Sequence, residues 1–298
     1  MPLEFGKLSF QEINLTLEQV ENWFSRRGVI VQGSRFETIR KNVQIITEHH
    51  EKGKIKEIIS LLGNETVAAS LGESLPYINI YRAFKNRKSH EGIPKRTLEK
   101  IIRGSFLSRE EDSVSNESRN FLFELDIATL LSERGMKILS FDDATFELEG
   151  AACNIQCKRP RSLNKLEASV KEALGQIQAK FEKAEKNLEP RGIIALAVDK
   201  ILGQDQIVVK TPTGASLEEH VVRKMLNFIH ANRQCWKNVF LDHRILAVFI
   251  FLKYTAEVKE TGVYSIGKQT IIDSPFMHPM VQAKDSHRIK TLQGVLKT

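Results

Sequence analysis

One stretch of this chain, residues 142–161, sets acids, amides and an amine close enough together for shared chemistry: Asp-Asp-Ala-Thr-Phe-Glu-Leu-Glu-Gly-Ala-Ala-Cys-Asn-Ile-Gln-Cys-Lys-Arg-Pro-Arg. It reads as a β-hairpin. Residues 145–148 alternate polar with apolar, Gly150 marks the turn, and residues 153–158 alternate again. Strand side chains switch faces at every residue. Ile155 and Cys157 therefore point into a core, as do Phe146 and Leu148. Asn154, Gln156 and Lys158 share the other surface with Asp143, Thr145 and Glu147. A hard divalent cation such as Mg²⁺ takes oxygen ligands, usually one or two carboxylates completed by waters and substrate phosphate. An ammonium on the same surface orients or helps deprotonate a water, or neutralises charge building on a phosphate. The plainer reading is an amphipathic hairpin whose charged residues only face water.

These residues need elements to position them, and the flanking sequence supplies candidates. Residues 119–134 form a helix closed by Gly135. Phe121, Leu122, Phe123, Leu125, Ile127 and Leu131 leave it apolar almost all round, so it must be well buried. Glu124 lies on the same stripe as Phe121 and Ala128. A carboxylate there costs free energy unless it is paired, hydrogen-bonded or bound to a metal. Asp126 is also flanked by apolar residues, and an ordinary salt bridge would serve either acid. A strand over 136–141 leads into the hairpin. After Pro160, residues 163–188 read as a Lys- and Glu-rich helix with Leu166, Val170, Leu174, Ile177 and Phe181 as its stripe, and with Gln176 and Gln178 along it. Residues 192–198 are a continuous apolar run, as in a strand covered on both faces. A helix over 216–230, started by Ser-Leu-Glu-Glu, a buried strand over 245–254 and a hairpin or edge pair over 262–272 follow. From Ser274, with Pro275 and Pro279, the tail is expected to pack loosely.

The order helix, strand, hairpin, with Asp ahead of Gln-Cys-Lys-Arg-Pro, resembles the core of the PD-(D/E)XK nuclease superfamily, the restriction-endonuclease-like fold. The resemblance implies an α/β (α+β) architecture: an αβββαβ core with a mixed sheet flanked by helices. It also implies hydrolysis of phosphodiester bonds in DNA with Mg²⁺ or Mn²⁺, in restriction, defence or repair. By the match, Asp143 is the metal-binding Asp, Lys158 the catalytic Lys and Glu124 the helix acid beside the metal, with Gln156 and the Cys157 carbonyl next to it. Gln156 stands where most members carry Glu or Asp. Some modification-dependent restriction enzymes have Gln there; an amide oxygen still ligates a metal, with lower affinity because it is uncharged. Asp142 is an alternative to Asp143, since the register of a turn is not fixed by sequence, and Glu147 sits on a face from which it could replace either. Arg159 and Arg161 are expected on backbone phosphates. The rival reading keeps the fold without catalysis, as a nucleic-acid-binding or complex-forming module. A third is an unrelated α/β protein with a chance triplet.

Residues 1–107 have helical patterns at 15–27, 35–51, 55–62, 65–71 and 77–84, and only Val29-Ile30-Val31 suggests a strand. Pro94 starts a short basic helix, closed at Gly104, whose Lys95 and Arg96 are expected to meet nucleic acid; a solvated helix face is the plainer alternative. Residues 108–118, acidic and Ser-rich, read as a linker between a helical N-terminal domain (1–107) and the nuclease-like domain (119–298).

The composition narrows the field. No phosphate-binding Gly-rich loop, Cys-x-x-Cys or His-Glu-x-x-His occurs in the 298 residues, which argues against nucleotide-driven work and common zinc chemistry. A net charge of +7 and a pI near 9.2 favour a polyanionic partner. The three cysteines read as core thiols in a reducing compartment. The start, MPLEFGKLSFQEINL, lacks a basic segment followed by an apolar run, and residues 245–252 are too short an apolar segment to span a bilayer. A cytoplasmic protein without membrane contact is expected, with room for a homodimer or an accessory protein.

Overall fold

The computed structural model describes residues 8–87, 92–107, 110, 113–141, 144–182, 188–203, 208–259, 263–275 and 283–297. The chain opens with α1 (Phe10–Arg26), α2 (Arg35–Glu51), α3 (Ile55–Leu62), α4 (Asn64–Phe84) and α5 (Lys95–Ile101). Ser9 starts α1 through a capping box: its hydroxyl accepts the Glu12 amide, and the Glu12 carboxylate accepts the Ser9 amide at 2.7 Å. Leu17, Phe24, Phe36, Ile39, Leu71 and Tyr77 make the centre of this helical layer. Two helices expected over 65–71 and 77–84 are one, running through Pro76. Proline removes a helix hydrogen bond, but Leu71, Gly72, Leu75, Pro76 and Tyr77 are all buried, so packing on α1 and α2 holds the element continuous.

The next helix, α6 (Ser113–Glu133), starts ahead of the expected 119, so the linker assigned to 108–118 is helical from Ser113 onward. Ser118 and Arg119 are buried, and the Ser118 hydroxyl donates to the carbonyls of Lys100 and Arg103. Leu122 and Leu125 belong to the core of the helical layer, and Ile127 and Leu131 to a core under the sheet. The junction between the two parts of the chain therefore falls inside a helix.

The sheet contains β1 (Lys137–Ser140), β2 (Thr145–Leu148), β3 (Ala151–Lys158), β4 (Glu189–Ala197), β5 (Val208–Thr211), β6 (Ile245–Val258) and β7 (Val263–Asp273). Its order is β1-β2-β3-β4-β6-β5, with β7 also paired to β6. β1–β2, β2–β3 and β6–β7 are antiparallel; β3–β4, β4–β6 and β5–β6 are parallel. The fold is thus α/β with a mixed sheet. One face, carrying Cys153, Ile155, Ile193, Phe249 and Phe251, packs on α6 and on α9 (Ala283–Lys297). The other, carrying Ile194, Leu196, Val248 and Ile250, packs on α7 (Leu163–Phe181) and α8 (Gly214–Asn232). The α8 start is capped by Thr213 and Ser216 rather than by Ser-Leu-Glu-Glu.

The tail departs from expectation. α9 is docked: Ile289 and Leu292 are buried, and fully buried Arg288 donates to Asp285 at 2.8 Å and to the Glu149 carbonyl at 3.0 Å. No strand forms at Val29 to Val31, whose two valines are buried in the helical core.

Helix α7 lies close on β4 because Gly192 has no side chain. A Cβ there would come within 2.5 Å of Ile177 Cγ2 and 2.8 Å of Ile245 Cδ1, both in buried side chains. Gly192→Ala is expected to destabilise the protein by about 1–3 kcal/mol through overpacking. Urea denaturation checks this, and an unchanged midpoint would contradict the close packing.

Candidate functional site

The hairpin forms as its alternation requires. Thr145 pairs with Asn154 and Phe146 with Cys153, and Phe146, Leu148, Ile155 and Cys157 enter the core. Its polar face is not open to water as expected. Helix α7 returns over it, and Asn154, Gln156 and Lys158 are only 7%, 8% and 9% exposed. The Thr145 hydroxyl donates to Asn154 Oδ1 at 2.9 Å, so that end of the face is internally satisfied.

Where β3 ends, a cavity of about 590 Å³ opens between three helices. Gln156, Cys157 and Lys158 come from β3, and Glu124 from α6. Arg96 and Lys100 of α5 line it too, as do Glu172 and Gln176 of α7. Four residues singled out in the sequence for catalysis or metal binding (Glu124, Gln156, Cys157, Lys158) thus meet in one place, with Arg96 of the proposed nucleic-acid contacts. Lys158 Nζ lies 2.6 Å from Glu172 Oε1, which also accepts Gln176 Nε2 at 3.3 Å. The Lys158 side chain is 11% exposed and that of Glu172 61%, so the pair runs from the cavity wall out to solvent. Burial, with Glu124 nearby, pushes the Cys157 thiol well above its ordinary range. The Cys157 side chain belongs to the apolar core under the sheet, and the only oxygen this residue can offer is its backbone carbonyl.

Other expected positions lie elsewhere. Asp142 and Asp143 fall outside the described residues. Glu147 pairs with Lys137 at 2.9 Å across β1–β2, and Lys95 with Glu99 at 3.5 Å on α5; neither lines the cavity. Arg161 is exposed beyond β3. Arg159, expected on a phosphate, is instead 10% exposed and bonded to Asp199 at 3.2 Å in a second, smaller cavity. Asp126 is held by Lys268 at 2.8 Å, the salt-bridge alternative for that acid. Glu172 was not visible as a site residue, because its helix reads as a solvated Lys/Glu face. Its spacing of four from Gln176, on a helix that must cover the hairpin, was the available signal.

The donor set suits a hard cation better than a soft one: a carboxylate (Glu124), an amide oxygen (Gln156) and a backbone carbonyl (Cys157), with a lysine beside them. Among the described residues, no group of three or more His, Cys, Asp or Glu is gathered closely enough to hold a metal. A cation bound through these residues would keep much of its water, as Mg²⁺ commonly does. Among the described residues, no helix is long and apolar enough to cross a membrane. No protein-family model matches the chain, and no curated protein or solved structure matches it either.

The second cavity, about 40 Å³, marks a buried charge network that joins the helical layer to the sheet. Glu73 of α4 takes Arg119 Nε at 2.7 Å and Arg35 Nε at 3.3 Å. Burial pushes its carboxyl up, but Arg119 and Arg35 outweigh this and carry it down from 4.5 to about 2. The stability this carboxylate contributes is complete above pH 4.5 and is lost as the pH falls towards about 2. Glu73→Gln is expected to cost about 3–5 kcal/mol at neutral pH, because two guanidiniums stay buried without their anion. It should also flatten the acid limb of stability in that window. Denaturation from pH 7 to 2 reads both effects, and an acid limb as steep as in the native protein would contradict the assignment.

Proposed function

We propose that this chain is a metal-dependent nuclease of the PD-(D/E)XK type, acting on phosphodiester bonds in DNA. The observation that carries the reading is the convergence of Glu124 from α6 with Gln156 and Lys158 from β3 on one cavity. The element order α6-β1-β2-β3-α7-β4 supports it, as does the basic α5 at the rim. Glu124, Gln156 and the Cys157 carbonyl would hold Mg²⁺ or Mn²⁺, and Asp143 is assigned beside them on the motif alone. The metal, when bound, supplies a Lewis acid and a water of lowered pKa. Lys158 orients the attacking water and neutralises charge on the phosphate oxygens. As the water oxygen bonds to phosphorus, the bond to the leaving oxygen breaks and its electron pair departs with that oxygen. The water gives up its proton to solvent, and the leaving oxygen takes one. Glu172 fixes the ammonium until substrate arrives, and Arg96 and Lys100 hold the backbone.

A second reading has its own support. Gln156 brings no charge, and Lys158 is already engaged by Glu172. Both suit a module on the same fold that binds nucleic acid or a partner without cutting.

Plasmid nicking with Mg²⁺ or Mn²⁺ decides between them. Lys158→Ala should lower the rate by about 10²–10³-fold. Glu124→Gln should raise the metal concentration needed for half-maximal rate by at least about tenfold. Nicking that is equal in wild type and Lys158→Ala would sink the catalytic assignment. DNA binding without cleavage under either metal would favour the module.

A further inference from the structure

We propose that the small cavity between the helical layer and the sheet binds one compact oxyanion of the phosphate or sulfate class, held by Lys253 with Lys268 beside it. The site shares no lining residue with the candidate nuclease cavity and does not depend on cleavage.

Four cations and three acids line it. Each acid is already engaged. Glu73 takes Arg119 at 2.7 Å and Arg35 at 3.3 Å, Asp199 takes Arg159 at 3.2 Å, and Asp126 takes Lys268 at 2.8 Å. Lys253 is left over, with no hydrogen bond and no ion pair among the described residues. It is half-buried, and its ammonium is not among the unpartnered polar atoms sealed from solvent. Burial pushes that ammonium down, and the charges acting on it are those of Asp199, Glu73, Arg159 and Asp126. All four line the cavity, which sets the ammonium among them.

Strand register adds to the excess. Lys253 of β6 lies directly opposite Lys268 of β7. Cross-strand partners have Cβ atoms about 4.5–5.5 Å apart, and like charges so placed are destabilising. Asp126 offsets one of the two lysines; a bound anion offsets the other.

Position and size agree. Arg159 follows β3, Asp199 follows β4, and Lys253 stands two residues beyond Phe251, which pairs with the last residue of β4. The cavity thus lies at the carboxyl ends of parallel strands, where open α/β sheets take their ligands. Its volume is about 40 Å³. About 10–15 Å³ holds one water, so the space suits about three waters or one tetrahedral oxyanion. Pro76, Leu122, Phe123, Ala197 and Phe251 complete the wall. An anion among them meets little competing water, and its attraction to the ammonium is stronger than at the surface. Bound there, it ties α4 and α6 to β6 and β7 and stabilises the fold by mass action.

Calorimetric titration with inorganic phosphate tests this, at neutral pH in EDTA with ionic strength held constant by chloride. The native protein should bind saturably at one site, and phosphate should raise its urea midpoint. Lys253→Met should weaken binding by at least about tenfold, and Lys158→Ala should leave it unchanged. Without phosphate, Lys253→Met should unfold at the native urea midpoint or above it, because it removes an uncompensated cation. Phenyl phosphate separates the two sources of this chemistry. Lys253-dependent binding as tight as that of inorganic phosphate marks the terminal phosphate of a larger molecule, and weaker binding marks the free ion; either upholds the site. Absence of saturable binding to the native protein, or binding that survives Lys253→Met, overturns the proposal. Binding lost in Lys158→Ala puts the ion in the other cavity and overturns it too. So does a Lys253→Met protein that is less stable without phosphate, or unfolded, since the ammonium would then be neutralised within the chain.

Discussion

Helix α6 must bury two apolar surfaces at once, and the rest of the architecture depends on that constraint. Leu122 and Leu125 pack into the helical layer, while Ile127 and Leu131 pack under the sheet. With 3.6 residues per turn, a helix committed to two cores has little circumference left. The polar positions Asn116, Glu117, Asn120 and Glu124 fall on that remaining strip and line one cavity. Elsewhere on α6 a buried polar group needs its own partner, and Arg119 and Asp126 have theirs in Glu73 and Lys268. The same burial that ties the two parts of the chain together thus leaves one wall of amides and acids facing β3.

The end of β3 distributes charge in a similar way. Lys158 and Arg159 are consecutive, and strand alternation sends them apart. Lys158 goes towards α7 and Glu172; Arg159 goes towards Asp199, in the cavity lined by Arg119 and Asp126 of α6. One cation is left at the edge of a wide cavity, and the other is sealed into a network that also holds Glu73 and Lys253. Burial lowers the Lys253 ammonium, and Asp199 and Glu73 oppose that shift. Such networks contribute less net stability than their contacts suggest, but breaking one costs a great deal. The network therefore serves to fix the docking of α2, α4 and α6 against β6 and β7, and with it the position of Glu124 relative to β3.

The hairpin was legible because alternation is a local property, and Phe146, Leu148, Ile155 and Cys157 follow it. Glu124 was legible because an acid on an apolar stripe demands an explanation. What covers a face is not local. Nothing in residues 153–158 says that α7 lies over Gln156 and Lys158, so their burial and the Glu172 contact appear only in the fold. Arg159 could have been placed, since the alternation that orients Lys158 also turns its neighbour away. Helix α9 had a signal in Ile289 and Leu292, three apart, which two prolines upstream obscured. Continuous α4 had none, because Pro76 argues locally for a break and only tertiary packing overrules it.

The departure at Gln156 can be weighed against its surroundings. An acid there would place a second anion near Lys158, besides Glu172, on a strand face 8–9% exposed. With the amide, the Glu172 carboxylate and the Lys158 ammonium pair one to one at 2.6 Å. Glu172 is 61% exposed, so it can turn to water at small cost, whereas Lys158 cannot leave without losing its buried stem. On the proposed reading, a phosphate entering the cavity would compete with Glu172 for an ammonium that stays where it is. On that reading the anion paired with the lysine comes from an exposed helix side chain and not from the strand, so a phosphate could displace it without moving the lysine.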